Sequence, residues 1–170
     1  CTKTTDAAGK FYMYMNALDI TTGQHKANSP KLMTGEVNGT GDGGTGGKVT
    51  YLAKFQNQRP ALLLYNNVVY AASASHCDWG PYHGWILAYD ATTLEQKYVY
   101  NATPNGWAGG FWMAGQGISI GPDGNLYAAT GNGTTSGSNT DMGGGRSESV
   151  VKLSPDLQLL DWFTPANYNY

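Results

Sequence analysis

Residues 85–95 read W-I-L-A-Y-D-A-T-T-L-E, an apolar and aromatic run that stops at Asp90 and is followed by a threonine pair. Aromatic and branched side chains suit a pleated, half-buried surface, so Trp85 to Asp90 is predicted as a strand. Aspartate closes such a strand naturally, because its carboxylate accepts amide hydrogens exposed two residues further on. Upstream, A-L-D-I-T-T-G-Q begins at Ala17 behind the run Phe11 to Asp19; downstream, K-L-S-P-D-L-Q begins at Lys152 behind Ser149 to Leu153. Asp19 and Asp90 are 71 residues apart, and Asp90 and Ser154 are 64 apart. One strand-and-turn unit therefore recurs three times.

Working outward, Phe11 to Asp19 predicts a strand, a tight turn and a next strand beginning near Gln24. Residues 29–48 are dominated by glycine, asparagine and threonine and read as a loop. Ala61 to Leu64 and Val68 to Ala72 form a predicted hairpin around Asn66 and Asn67, which tolerate positive φ. Trp85 to Asp90 and Glu95 to Tyr100 complete a four-stranded meander. The pattern returns in Gly117 to Gly121, the turn Pro122-Asp123-Gly124-Asn125, the strand Leu126 to Thr130, a glycine-rich loop from Gly131 to Gly145, and the pair Ser149 to Leu153 and Leu157 to Phe163.

Repeated four-stranded meanders are the signature of a β-propeller, in which a lone blade cannot bury its faces without neighbours. The expected fold is all-β: a partial propeller of two to three blades, with a blade end over about 1–30 and blades over about 55–103 and 110–167. A closed ring takes about four to eight blades, so the remaining blades are expected partners, from the same chain or another. A chain that begins at Cys1 rather than Met is expected to be processed or cut from something larger.

Composition agrees. The chain has 170 residues, 24 glycines, 12 tyrosines and only 13% charged residues, a loop-rich aromatic profile rather than a helical one. Its net charge is −2 and its ten basic residues are scattered along the sequence, which argues against nucleic acid and anionic lipid as partners. No apolar run approaches the roughly 20 residues that span a bilayer.

The densest reactive stretch is S-H-C-D-W-G-P-Y-H-G-W, residues 75–85, which runs straight into the central strand. His76, Cys77, Asp78 and His83 are candidate ligands for zinc or another transition metal, being the imidazole, thiolate and carboxylate types such ions take. The alternative is that the histidines hydrogen-bond loop backbone. Cys77 and His83 would also suit a thiol hydrolase, but nothing marks an oxyanion hole. Trp79, Tyr82, Trp85, Trp107, Phe111 and Trp112 are candidates for a carbohydrate or aromatic-ligand groove, or for packing between blades. Cys1 and Cys77 are a candidate disulfide. Asn38, Asn101 and Asn132 head N-x-[ST] sequons and are candidate glycosylation sites. Asp42, Asp123 and Asp141 lie in glycine-rich loops, each without the further carboxylates a calcium site wants. Gly41, Gly43 and Gly46 fit G-x-G-x-x-G, yet no helix follows to aim amides at a pyrophosphate.

These residues together resemble the extracytoplasmic proteins built from pyrroloquinoline-quinone-like propeller repeats. The similarity is carried by Q-N-Q-R-P-A-L-L-L at Gln56, by Ser75 to Asp90 and by G-N-L-Y-A-A-T-G-N-G-T at Gly124. The family repeat reads A-x-D-x-x-T-G-x-x-x-W. Ala17, Asp19, Thr22 and Gly23 match it, while Ala27 stands where the tryptophan belongs; Ala88, Asp90 and Thr93 match again, while Leu94 replaces glycine and Tyr98 replaces tryptophan. The resemblance implies an extracytoplasmic scaffold or binding module for a carbohydrate or protein ligand, with no cofactor. Its alternative implication is a quinoprotein-type oxidoreductase using pyrroloquinoline quinone and calcium. Neither the adjacent cysteines nor the Glu, Asn and Asp calcium set of those enzymes can be placed on this chain.

Overall fold

The computed structural model describes residues 1–113, 115–134 and 144–168. Among these, every regular element is a strand: β1 (Thr2–Thr5), β2 (Phe11–Met15), β3 (Lys31–Leu32), β4 (Glu36–Asn38), β5 (Lys48–Thr50), β6 (Gln56–Asn57) and β7 (Leu63–Tyr65) in the first half. The second half holds β8 (Val68–Ser75), β9 (Trp85–Asp90), β10 (Gln96–Asn101), β11 (Ser119–Ile120), β12 (Leu126–Ala129), β13 (Val150–Leu153) and β14 (Leu159–Phe163). No helix long and apolar enough to cross a membrane occurs among them.

The strands form antiparallel sheets that stack. β1-β2-β3 make the first, β11-β12-β13-β14 the last, and between them lies the order β10-β9-β8-β6 with β7 also paired to β8. The inner strand of the middle sheet is thus broken into β6 and β7, which pair with the two ends of β8. Asn66 and Asn67 take φ of 48° and 60°, the left-handed pair that a two-residue hairpin requires.

Alternation places the core. On the middle sheet Val68, Tyr70, Ala72, Ile86, Ala88 and Tyr100 point into a cluster shared with Phe111 of the connecting segment and with Leu126, Val151 and Leu153 of the last sheet. The intervening Ala71, Trp85, Leu87 and Tyr89 point the other way, into a cluster with Met13, Met15, Met33 and Val49. Side chains in a strand alternate faces, so one sheet with apolar residues at both parities is buried on both sides. Burying each of the larger aliphatic side chains and Phe111 contributes about 1.5–3 kcal/mol, and each alanine less.

The first two repeated turns share one geometry, and the third is one residue tighter. The amide of Gly23 donates to Asp19 O at 2.8 Å, and that of Leu94 donates to Asp90 O at 2.9 Å. The carboxylates of Asp19 and Asp90 each accept two threonine amides, from Thr21 and Thr22 at 3.0 and 3.1 Å and from Thr92 and Thr93 at 2.9 Å. In the third turn Leu157 N donates to Ser154 O at 2.9 Å. Gly23, Leu94 and Leu157 all take the left-handed conformation, with φ of 70°, 57° and 63°. A leucine there costs about 1–2 kcal/mol of strain. Leu94 and Leu157 are buried at 4% and 3% exposure, one in each core, and that burial offsets the strain.

Two expectations need correction. Residues 29–48 are not one loop, because β3, β4 and β5 form there; β4 and β5 pair Val37 with Val49, whose side chain is buried in the cluster shared by the first and middle sheets. Regular pairing after the Asp19 turn starts at Lys31 rather than near Gln24. Hydrogen bonds from Asp19 N to Gln24 O and Lys26 N to Ala17 O continue the hairpin briefly, but Asn28 at φ 64° turns the chain out of the ladder. β1, which the sequence did not suggest, pairs along β2 from Thr2↔Tyr14 to Thr5↔Phe11.

Candidate functional site

The loop between β8 and β9, residues 76–84, packs against three other loops. Gly41 N donates to Pro104 O, Asp42 N to Gly106 O, Ala108 N to Tyr82 O and Gly109 N to Asn132 O, at 2.7 to 2.9 Å. Close approach requires glycine: a Cβ on Gly84 would lie 1.9 Å from Gly109 O, and one on Gly39 would lie 2.0 Å from Pro104 O.

His83 is the pin of this cluster. It is 2% exposed, with Nε2 2.9 Å from Asp42 O and Nδ1 2.9 Å from Thr103 Oγ1. A carbonyl only accepts, so Nε2 carries a proton. Thr103 Oγ1 also lies 2.8 Å from Ala108 O, so its single proton serves either that carbonyl or Nδ1. Burial lowers the His83 pKa against the raising effect of these bonds, and the neutral ring results.

The other candidates separate. Asp78 Oδ1 accepts from the Tyr82 hydroxyl at 2.5 Å, and burial followed by that bond pushes the tyrosine pKa up. His76, Cys77, Asp78 and Trp79 are exposed, while Tyr82, His83 and Trp85 are buried. Burial, and then the charge of Lys3, hold His76 below its ordinary value. The described residues contain no group of three or more His, Cys, Asp or Glu placed to hold a metal, so His76, Cys77, Asp78 and His83 are not gathered into one. Cys1 and Cys77 are both free and exposed rather than joined; Cys77 stands at the loop tip with φ 52°.

Of the aromatic candidates, Trp85 is fully buried, edge-on to Tyr51 at 6.0 Å and to His83 at 6.4 Å. Tyr82 and Phe111 are core as well, and Trp112 is half-buried. Trp79 at 67% and Trp107 at 49% exposure remain open to a ligand. Asn38 and Asn132 are exposed, but Asn101 is buried and its Oδ1 accepts from Thr103 N at 2.8 Å, which closes that sequon in the folded chain. Asp123 is a turn residue whose pKa is pulled down by Lys152 at 2.7 Å and by Asn125. Asp42 gives its backbone to His83, and Asp141 lies outside the described residues.

Arg146 escaped the sequence reading. It is 1% exposed, its guanidinium 3.8 Å from the Trp162 ring centroid and its Nη1 donating to Gly145 O at 3.1 Å. Its only sequence signal is a single cation at the end of a glycine-rich run.

The stacked meanders match solved structures of two quinohemoprotein alcohol dehydrogenases. One, from Comamonas testosteroni, gives a TM-score of 0.57 at 18% identity over 92% of this chain and 26% of that one. The other, from Pseudomonas putida HK5, gives 0.54 at 17% identity over 92% and 25%. The sheets are propeller blades. At this identity the likeness is one of fold, and the blades here span about a quarter of the length of either neighbour. No protein-family model and no curated protein matches the sequence.

Proposed function

We propose that these blades are part of a larger extracytoplasmic, quinoprotein-like propeller and act in it as a scaffold and binding module, with the loop face around His76 to Trp85 turned to a carbohydrate or protein ligand. One observation carries this reading: His83 is committed to the Asp42 and Thr103 loops and Asp78 to Tyr82, whereas Trp79 and Trp107 stand open on the same loop cluster. Flat indole faces with polar edges stack on sugar rings, and rigid aromatics serve protein ligands equally. The test is surface plasmon resonance of the immobilised chain against neutral oligosaccharides, comparing the natural sequence with the Trp79→Ala/Trp107→Ala double variant. Binding that the double variant retains in full would refute the assignment.

The likeness to quinohemoprotein alcohol dehydrogenases favours a second reading, in which the chain supplies some blades of a quinone- and calcium-dependent oxidoreductase. The side chains present do not fit that cofactor set. Neither free cysteine has a cysteine beside it, Asp19, Asp90 and Asp123 are engaged in turns, and the described residues offer no cluster of acidic ligands. A chromophore retained after adding pyrroloquinoline quinone and calcium, together with dye-linked alcohol oxidation, would establish the second reading over the first.

A further inference from the structure

Lys10 and Lys54 are far apart in sequence, yet the fold brings them to one cleft, with Lys3 bonded to the backbone behind its wall. The cleft, of about 450 Å³, opens between β2–β3 and the segment leading from β5 to β6. Its walls are apolar and come from Phe11, Leu32, Met33, Tyr51, Leu52 and Phe55, with Lys10 and Lys54 among the residues that line it. Each lysine lies over a different ring of this region: Lys3 Nζ is 5.5 Å from the Phe11 centroid, Lys10 Nζ 5.3 Å from Tyr12 and Lys54 Nζ 5.3 Å from Phe55.

The three cations have different tasks. Lys3 Nζ donates to Lys54 O at 2.8 Å and Gln56 O at 2.9 Å, tying β1 to the opposite wall. Lys10 and Lys54 are exposed, and the salt bridges among the described residues engage Lys26, Lys48, Lys97 and Lys152 instead. The nearby acid is Asp6, whose oxygens accept the amides of Ala8 and Lys10 and the Tyr12 hydroxyl and whose negative charge also acts on Lys10. The Tyr51 hydroxyl is likewise turned away, to Met13 Sδ at 2.8 Å, so that residue offers its ring to the cleft. An apolar cleft with a few convergent polar groups is the usual form of a small-molecule site, and here those groups carry one sign of charge.

We propose that this cleft binds a small amphiphilic carboxylate. Its apolar body lies against Phe11, Met33 and Phe55, and its charged end is met by the ammonium groups of Lys10 and Lys54. A carboxylate gives Lys54 and Lys10 a charge partner at the cleft that a neutral ligand lacks, and a longer polar ligand would desolvate the walls without filling them.

Isothermal titration of the full chain with octanoate, and separately with octan-1-ol, tests this. Octanoate binds saturably with one site per chain, and octan-1-ol binds about tenfold more weakly or worse. The Lys10→Met/Lys54→Met variant keeps the apolar stems at exposed positions and loses the preference, binding both compounds alike. Leu52→Trp, filling the cleft, removes both, and unchanged urea midpoints confirm that the variants fold. Absence of saturable octanoate binding, equal affinity for acid and alcohol, or a preference that survives loss of both lysines overturns the proposal. So does sedimentation velocity showing a second copy of the chain seated in the cleft.

Discussion

Leu94 stands where the repeat has glycine, in a left-handed conformation yet 4% exposed, and this combination predicts an inversion of the usual order of substitutions. Leu94→Ala and Leu94→Gly both remove the same buried side chain, at a cost of about 2–5 kcal/mol. Alanine keeps a Cβ and with it the left-handed strain of about 1–2 kcal/mol, which glycine is free of. Glycine in turn costs about 0.5–1 kcal/mol more than alanine in regular structure. The strain relief equals or exceeds that cost, so Leu94→Gly should be more stable than Leu94→Ala by about 0–1.5 kcal/mol. Leu87 is the control: equally buried, in the extended conformation of β9, it should show glycine below alanine by about 0.5–1 kcal/mol. Urea unfolding followed by tryptophan fluorescence reads both pairs, with equal m-values as the condition for comparison. Glycine less stable than alanine at position 94 as well as 87 would refute the trade of strain against burial.

Three further outcomes follow from the packing and the loop cluster. Ile86→Val and Leu87→Ala cost about 0.5–1.5 and 2–5 kcal/mol, and because the two side chains enter separate cores the double variant should be additive within about 0.5 kcal/mol; marked coupling in urea unfolding would contradict the two-faced middle sheet. His83 has its pKa lowered from the ordinary 6.5, so in the unfolded chain it takes up a proton at higher pH than in the folded one. Stability contributed by the neutral ring is then present above about 6.5 and falls as pH drops from there toward the folded value; the His83→Gln variant should lose that slope in melting scans, and an unchanged slope would sink the assignment. Gly84→Ala drives a Cβ against the Gly109 carbonyl, and a loss of about 3 kcal/mol or more is expected by thermal unfolding, with a loss below 1 showing that the loops are not in contact.

What the sequence made legible was local. The Asp19 and Asp90 turns are written in four or five consecutive residues, and their carboxylate-to-amide bonds form within that span. The Asn66-Asn67 hairpin and the run from Trp85 to Asp90 are legible for the same reason: the pattern and the structure it dictates occupy the same few residues. β4 and β5 were hidden because glycine-rich flanks on both sides outweigh Val37–Val49, the one apolar pair among the three that join them, and that pair is stabilised by the core of the first and middle sheets rather than by its own residues.

The loop cluster was legible as residue types and not as roles. H-C-D-W at residues 76–79 has the composition of a ligand set, but a ligand set needs side chains converging on a point, whereas His83 reaches Asp42 and Thr103 from a distance of 41 and 20 residues and spends its nitrogens there. The same limit works in the other direction for the lysines. Positions 10 and 54 carry no local pattern at all, and only the return of the chain past Phe55 sets these two cations at one apolar cleft. In a repeat fold the turns follow from neighbours in sequence, whereas the places where ligands would sit follow from neighbours in space. The blades could therefore be read from short spans, while the sites depended on which loops each blade brings to the next.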